Sequence, residues 1–381
     1  MNRISGPKKL FFICCLGIAN LQLFASGYRT ITNKEVKSFY KNLPFEMEML
    51  QVPKFKNYSV NIADFGAVGD GATLNTGAIN KAIRQVSEKG GGTVVIPEGI
   101  WLTGPIVLLS NVNLFTEVNA FVLFTPDFSQ YPVVDAIFEG LNTKRCQSPL
   151  TAKDAVNIAI TGYGVFDGSG DAWRPVKKEK MTEKQFKTLV KNGGVLSDDK
   201  KTWFPDEASK RAQEMCVDQN VPVGPVTDND WLSIRSFLRP VMINFVNCKN
   251  ILLDGVTFQN SPAWNLHPLM SENIILNKVT VRNPWYSQNG DGIDLESCKN
   301  TLIVNSSFDV GDDAICMKSG KNEDGRARNM PTENVIVENC IVYHGHGGFV
   351  VGSEMSGDVR NIKVSKCTFV GTDVGLRIKS T

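Results

Sequence analysis

The second half of the chain repeats a short unit that opens on asparagine and then runs apolar. The units are Asn250-Ile-Leu-Leu-Asp-Gly-Val-Thr-Phe258, Asn273-Ile-Ile-Leu-Asn-Lys-Val-Thr-Val281, Asn300-Thr-Leu-Ile-Val-Asn-Ser-Ser-Phe308, Asn334-Val-Ile-Val-Glu-Asn-Cys-Ile-Val342 and Asn361-Ile-Lys-Val-Ser-Lys-Cys-Thr-Phe369. Their asparagines step by 23, 27, 34 and 27 residues. A unit this short cannot bury its own apolar face. Stacked coils about 4.8 Å apart can, because neighbouring strands pair in parallel and share one core. Period-2 alternation sends one set of side chains inside, and an inward asparagine at each turn can hydrogen-bond the asparagine one coil away. The pattern therefore specifies an all-β, single-stranded parallel solenoid. Similar runs at Asn111–Leu123 and Asn157–Phe166 extend it upstream.

Two segments depart from the repeat. Residues 76–89 carry Ala78, Ile79, Ala82, Ile83 and Val86 at helical spacing and stop at Gly90-Gly91-Gly92, which predicts a helix capping the open N-terminal end of the solenoid. Residues 171–235 are rich in Lys, Glu and Asp and read as a large insertion on one face, with a short Thr-capped helix over Thr182–Lys191.

The N-terminus has the form of a secretory signal. Arg3, Lys8 and Lys9 precede an apolar run from Leu10 to Phe24, and Ala25-Ser26-Gly27 supplies small residues for cleavage. The apolar run is short for a membrane span, which needs about 20 residues. The expected organisation is a signal peptide at 1–27, an N-terminal extension at 28–59 and the solenoid at 60–381. The destination is the periplasm or exterior; a lipoprotein through Cys14 or Cys15 is the lesser option, for want of a convincing lipobox. The seven cysteines beyond residue 27 form no CxxC pair, which argues against a zinc site; most are expected as free buried thiols. A formal net charge of +2 points away from nucleic acid. A monomer without a membrane span is the expected state.

A second alignment lies within the repeat. Gly292-Ile-Asp-Leu-Glu-Ser297, Ala314-Ile-Cys-Met-Lys-Ser319, Gly348-Phe-Val-Val-Gly-Ser353 and Gly375-Leu-Arg-Ile-Lys-Ser380 superimpose. In that register Asp291 shares a column with Asp313, and Gly290, Asp312 and His346 share the next. Asp294 and Arg377 share another, joined by His267, while Glu296, Lys318 and Lys379 share a fourth. The alternating apolar positions point inward, so this polar set faces outward from one sheet. Taken singly, a Gly-Asp-Asp turn, a histidine between glycines and an Arg-x-Lys strand are commonplace structural features. Stacked, they place several carboxylates side by side, which raises at least one proton affinity and supplies an acid beside a base. Glycoside hydrolysis needs that pair: one carboxyl protonates the leaving oxygen while another activates water. Arg377 and Lys379 would suit a substrate that itself carries carboxylates.

Asn289-Gly290-Asp291, Gly311-Asp312-Asp313, Gly345-His346-Gly347 and Arg377-Ile378-Lys379 resemble, in order and rough spacing, the four signature motifs of the polygalacturonases, glycoside hydrolase family 28. Asp64-Phe-Gly-Ala-Val-Gly-Asp-Gly71 and Gly90-Gly-Gly-Thr-Val-Val-Ile-Pro97 are similar to the N-terminal region of that family and of other pectin-acting β-helices. The resemblance spans roughly Val60 to Thr381. It implies a right-handed parallel β-helix of the pectin-lyase type that hydrolyses α-1,4-galacturonide bonds in pectin or oligogalacturonides, with inversion and without metal or cofactor. It implies Asp312 as general acid, Asp291 and Asp313 as holders of the attacking water, and His346 as support for the acid. It implies Arg377 and Lys379 as the clamp on a galacturonate carboxylate, with Asn289 as a further substrate contact; His267, from its place in the Asp294 and Arg377 column, reads equally as a substrate contact or a structural residue.

The first motif carries Gly290 where the family usually has Thr, and relatives continue for several coils beyond Lys379, so the expectation is a bacterial member lacking its final coils. The bulk of the 171–235 insertion suggests exo action. Two alternatives stand beside this reading. One is a calcium-dependent lyase in which Asp291, Asp294, Asp312 and Asp313 hold the cation. The other is an inactive, carbohydrate-binding β-helix.

Overall fold

The computed structural model describes residues 28–217 and 220–380. The expected signal peptide at 1–27 lies outside them. Among the described residues no helix is long and apolar enough to cross a membrane.

The chain winds as a parallel β-helix. One face is a nine-stranded sheet that holds the asparagine-led strands, in the order Ser59–Asn61, Gly92–Ile96, Val112–Thr116, Val156–Gly162, Lys249–Asp254, Glu272–Asn277, Lys299–Val304, Thr332–Glu338 and Val359–Ser365. We call it the ladder face. A fourteen-stranded sheet supplies the other two faces. Its flank limb includes Val165–Asp167, Thr257–Gln259, Thr280–Arg282 and Ser307–Asp309; its cleft limb includes Leu150–Lys153, Ile243–Val246, Leu266–Leu269, Ile293–Glu296 and Ile315–Lys318. The eleven-residue strands Ile341–Val351 and Thr368–Ile378 run through both limbs.

The repeat forms the ladder that its spacing predicts. Side-chain amides of Asn157, Asn250, Asn273, Asn300, Asn334 and Asn361 each donate to the asparagine one coil earlier, over 3.0–3.3 Å, starting from Asn111. Every rung has φ between 54° and 65°. Asparagine tolerates that left-handed backbone better than other non-glycine residues, which explains why it recurs at this corner. The rungs sit at the corner, mostly half-buried, rather than inside the core.

One continuous core fills the coils, including Ile158, Ile251, Ile274, Phe258, Leu295 and Val337, all essentially inaccessible. Phe166 stacks on Phe258 with centroids 5.3 Å apart. The helix Thr76–Glu88 closes one end of this core with Ile79, Ala82, Ile83 and Val86 fully buried. The seven cysteines are free thiols.

Two features were not anticipated. The 28–59 segment crosses the outside of the ladder face, where Ile31, Val36 and Leu50 bury against Leu252, Ile275, Leu302 and Ile336. An antiparallel hairpin, Val133–Phe138 with Leu141–Cys146, stands over the cleft limb. The 171–235 segment forms a small three-stranded antiparallel sheet with the helices Glu183–Lys191, Glu207–Glu214 and Asp228–Ser233. Thr182 caps the first of these through a reciprocal pair with Gln185.

Candidate active site

The acidic residues lie where the flank limb turns into the cleft limb. Backbone pairing fixes their register: Gly292 N–H donates to Asp313 O (2.9 Å), His346 N–H to Asp312 O (2.8 Å) and Ala314 N–H to Gly347 O (2.8 Å). Asp291 is therefore stacked on Asp313, and Asp312 on His346, as the alignment predicts. Two glycines make this possible. A Cβ at Gly347 would come within 2.9 Å of Asp313 Oδ1, and one at Gly290 would collide with Ser287 Oγ at 1.7 Å. The latter shows why a side chain at position 290 would not fit: the 283–289 loop folds tightly onto it.

Asp313 is 1% exposed. Its Oδ2 accepts from Lys379 Nζ at 2.7 Å, while its Oδ1 has no partner. Asp291 is 4% exposed with Oδ1 likewise unpartnered. Asp312 is the one that reaches the mouth, its side chain 34% exposed; His346 Nδ1 lies 3.8 Å from Asp312 Oδ1. Arg377 Nη1 packs on the imidazole of His346, 3.1 and 3.2 Å from its two nitrogens. The Asp312 carboxylate raises the proton affinity of His346, while partial burial and the Arg377 charge oppose it. Burial alone would lower the Lys379 ammonium, but its bond to Asp313 raises it.

A second tier lies beneath. Asp294, Glu296 and Lys318 point outward from the sheet yet are buried, because loops and the hairpin cover them. Lys318 Nζ is 2.6 Å from Glu354 Oε2, 3.6 Å from Asp294 Oδ1 and 4.9 Å from the centre of the Trp264 ring. Neither Asp294 oxygen makes a hydrogen bond. Burial, reinforced by the neighbouring carboxylates of Asp294, Asp312 and Asp313, pushes Asp291 well above the usual carboxylate range; Lys318 opposes this. Burial pushes Asp294 up in the same way, again against Lys318. Burial would also raise Glu354, but Lys318 overrides it and holds the carboxyl down at about 2. Glu354 and the role of Lys318 were not legible in sequence, since nothing in a lone Ser353-Glu354 announces its partner.

His267 does not reach this opening. It is fully buried, with Nε2 2.9 Å from Glu296 Oε2 and Nδ1 3.2 Å from Asn244 Nδ2, and Arg328 Nη1 holds the other oxygen of Glu296 at 2.7 Å. Both ring nitrogens are engaged internally, so of the two readings open for His267 the structural one holds and the substrate contact does not. Asn289 is likewise committed: its Oδ1 accepts from Arg239 at 2.9 Å and its Nδ2 donates to Glu139 at 3.2 Å.

That last contact belongs to a wall. The hairpin tip puts Phe138 on Trp264, ring centroids 4.7 Å apart, with the Arg145 guanidinium 3.9 Å above Phe138. Glu139 accepts twice from Asn220, each at 2.7 Å, which draws the 171–235 segment onto the tip. Burial lowers Arg239 to about 9 and Arg145 to about 10. A groove of about 900 Å³, lined by Thr151, Lys153, Asn244 and Leu269, runs along the cleft limb beside the hairpin strands, with none of the catalytic-type carboxylates in its walls.

Donor atoms of Asp312, Asp313 and His346 lie within 4.8 Å of one another, a spacing a divalent cation could use. The Lys379 ammonium already stands at Asp313, so the pocket carries its own compensating charge.

A parallel β-helix with stacked carboxylates, a histidine and a basic pair on one cleft defines the class of β-helical glycoside hydrolases. Residues 235–381 match the family described as Glycosyl hydrolases family 28, and residues 59–143 match Rhamnogalacturonase A/epimerase, pectate lyase-like. The chain belongs to glycosyl hydrolase family 28. The hyperthermoactive exopolygalacturonase structure of Thermotoga maritima is 33% identical, with a TM-score of 0.69, covering 91% of this chain and 73% of that one. The family 28 exopolygalacturonase structure of Yersinia enterocolitica is 26% identical, with a TM-score of 0.67, covering 86% and 56%. The exo-poly-α-D-galacturonosidase of Dickeya chrysanthemi is 29% identical over 84% of this chain and 52% of its own. A probable polygalacturonase of Vitis vinifera is 29% identical over 85% and 57%. The chain thus spans little more than half the length of these curated relatives.

Proposed function

We propose that the protein is an inverting, exo-acting polygalacturonase that hydrolyses α-1,4-galacturonide bonds of pectin from a chain end. The observation that carries this is the division of labour among three aspartates in one cleft. Asp312 reaches the mouth, where a glycosidic oxygen could take its proton. Asp291 and Asp313 lie deeper and would share the attacking water. Water adds to the anomeric carbon as the glycosidic bond breaks, Asp312 protonates the departing oxygen, and Asp291 or Asp313 takes the water proton. His346 would hold the acid in place, and Arg377 and Lys379 would bind a galacturonate carboxylate. Chain-end selectivity is supported by the hairpin wall, which blocks the cleft at Phe138, Glu139 and Asn289, and by the two exopolygalacturonases among the similar structures. The N-terminal signal supports a secreted or periplasmic location.

The test is reducing-sugar release from polygalacturonate with sizing of the products. Accumulation of one short product with little loss of viscosity is expected. Random fragments overturn the exo assignment, and a gain in ultraviolet absorbance abolished by chelator overturns hydrolysis in favour of a lyase.

A further inference from the structure

Beside the catalytic opening the flank limb carries a second groove, of about 550 Å³, lined in part by Gln259, Arg282, Trp285, Asp309 and His344. We propose that this groove is a distal subsite for a further hexuronate unit of the same polysaccharide chain; the inference rests on the galacturonan reading above.

Its position follows from register. Gln259, Arg282, Asp309 and His344 are successive neighbours across four stacked strands. A bulge between Phe308 and Asp309 brings His344 opposite Asp309. His344 and His346 lie two residues apart on the same strand, so their side chains leave it on the same side about 7 Å apart. A chain passing out of the catalytic opening over His346 would meet this groove about one sugar unit later.

Its chemistry is that of a uronate site. Trp285 is 52% exposed, although the loop beneath it is fixed: Asn283 donates to Asp291 O at 3.2 Å and Ser287 to Pro284 O at 2.6 Å. An exposed indole on a tethered loop, edge-on to Tyr286 with centroids 5.7 Å apart, offers a platform for the C–H face of a sugar. The nearby carboxylates are each satisfied locally. Asp309 is 2.8 Å from His344, Asp167 accepts from Gln259 and Asn260 at 2.8 and 3.1 Å, and Asp171 pairs with Arg174 at 2.6 Å. Arg282 is exposed and makes no ion pair among the described residues. Its fork is therefore left for a carboxylate from outside, in the geometry guanidinium groups favour. A lone exposed tryptophan or arginine is ordinary; both in one groove, in register with the catalytic histidine, make a built site.

The experiment measures kcat/KM for oligogalacturonides of increasing length with the wild type, Trp285→Ala and Arg282→Gln. The loss in either variant should grow with chain length, reaching roughly tenfold for the longest substrates. A wild type that cleaves the series while the variants lose the same factor at every length, or lose nothing, overturns the subsite and leaves the proposed reaction standing. A wild type that cleaves no member of the series overturns the proposed reaction, and the subsite falls with it.

Discussion

Lys379 Nζ and Asp313 Oδ2 lie 2.7 Å apart, across two coils of the helix. The carboxylate is almost fully buried and the lysine half-covered, so the pair ties the basic strand of the cleft to its acidic floor. Lys379→Ala would leave both Asp313 oxygens without a partner. We expect kcat/KM on polygalacturonate to fall about 100-fold and unfolding free energy to fall by about 1–3 kcal/mol. Unchanged kinetics would show that the clamp plays no part in turnover.

Asp312→Asn keeps the shape of the mouth-side carboxyl and removes its transferable proton. Reducing-end release should drop by about 100-fold or more, with an unaltered circular dichroism spectrum and melting temperature. Retained activity would move the acid role to another carboxyl.

His346 is shifted so that its cation persists above the ordinary histidine value of 6.5. If that cation supports the acid, its contribution is present below the shifted value and lost as pH rises through it. The alkaline limb of kcat/KM should therefore lie above pH 6.5. Arg377 opposes protonation, so Arg377→Gln should carry the limb higher still; a limb that stays or falls would remove His346 from the titration.

Asp294 is raised by burial, so its folded value exceeds its unfolded one. The folded state holds the proton more tightly, and stability is lost as pH rises from the unfolded value toward the folded one. Asp294→Asn removes that loss while Lys318 keeps Glu354. The melting temperature of the variant relative to wild type should become more favourable as pH climbs from about 4 upward. A difference independent of pH would refute the assignment.

Replacing Phe138–Leu141 with a two-residue Asn-Gly turn would remove the wall at its tip. Products should spread to mixed lengths, and viscosity should fall faster for each bond cut. A product profile identical to wild type would mean that another segment closes the cleft.

The architecture and the stacking of the carboxylate columns were readable because both depend on backbone periodicity. Asn250 to Asn361 mark the corner where only a few residue types accept positive φ, and a fixed corner fixes which side chains stack. What covers those side chains was not readable. Asp294 occupies an outward position, and only the hairpin and loops over it make it buried. For the same reason the sequence could not choose between a substrate-binding and a structural His267. The hairpin itself is held by contacts such as Phe138 with Trp264, distant in sequence and without local signal. A clue to the N-terminal arm was present but unused. Ile251, Leu252 and Leu253 are consecutive apolar residues, the mark of a strand covered on both faces rather than one, and Leu252 is the residue the arm covers.

The asparagine rungs also bear on how such a molecule can change. Asn157 and Asn250 are hydrogen-bonded neighbours at 3.0 Å, although 93 residues separate them, while Asn250 and Asn273 are bonded just as closely across 23. The corner registers only that a coil has closed, not how much chain was spent outside it. Loops at the cleft can thus lengthen, shorten or be exchanged without shifting an aspartate by one position. The loops that cover the cleft are free to drift by insertion and deletion, while the stacking of its carboxylates is inherited intact.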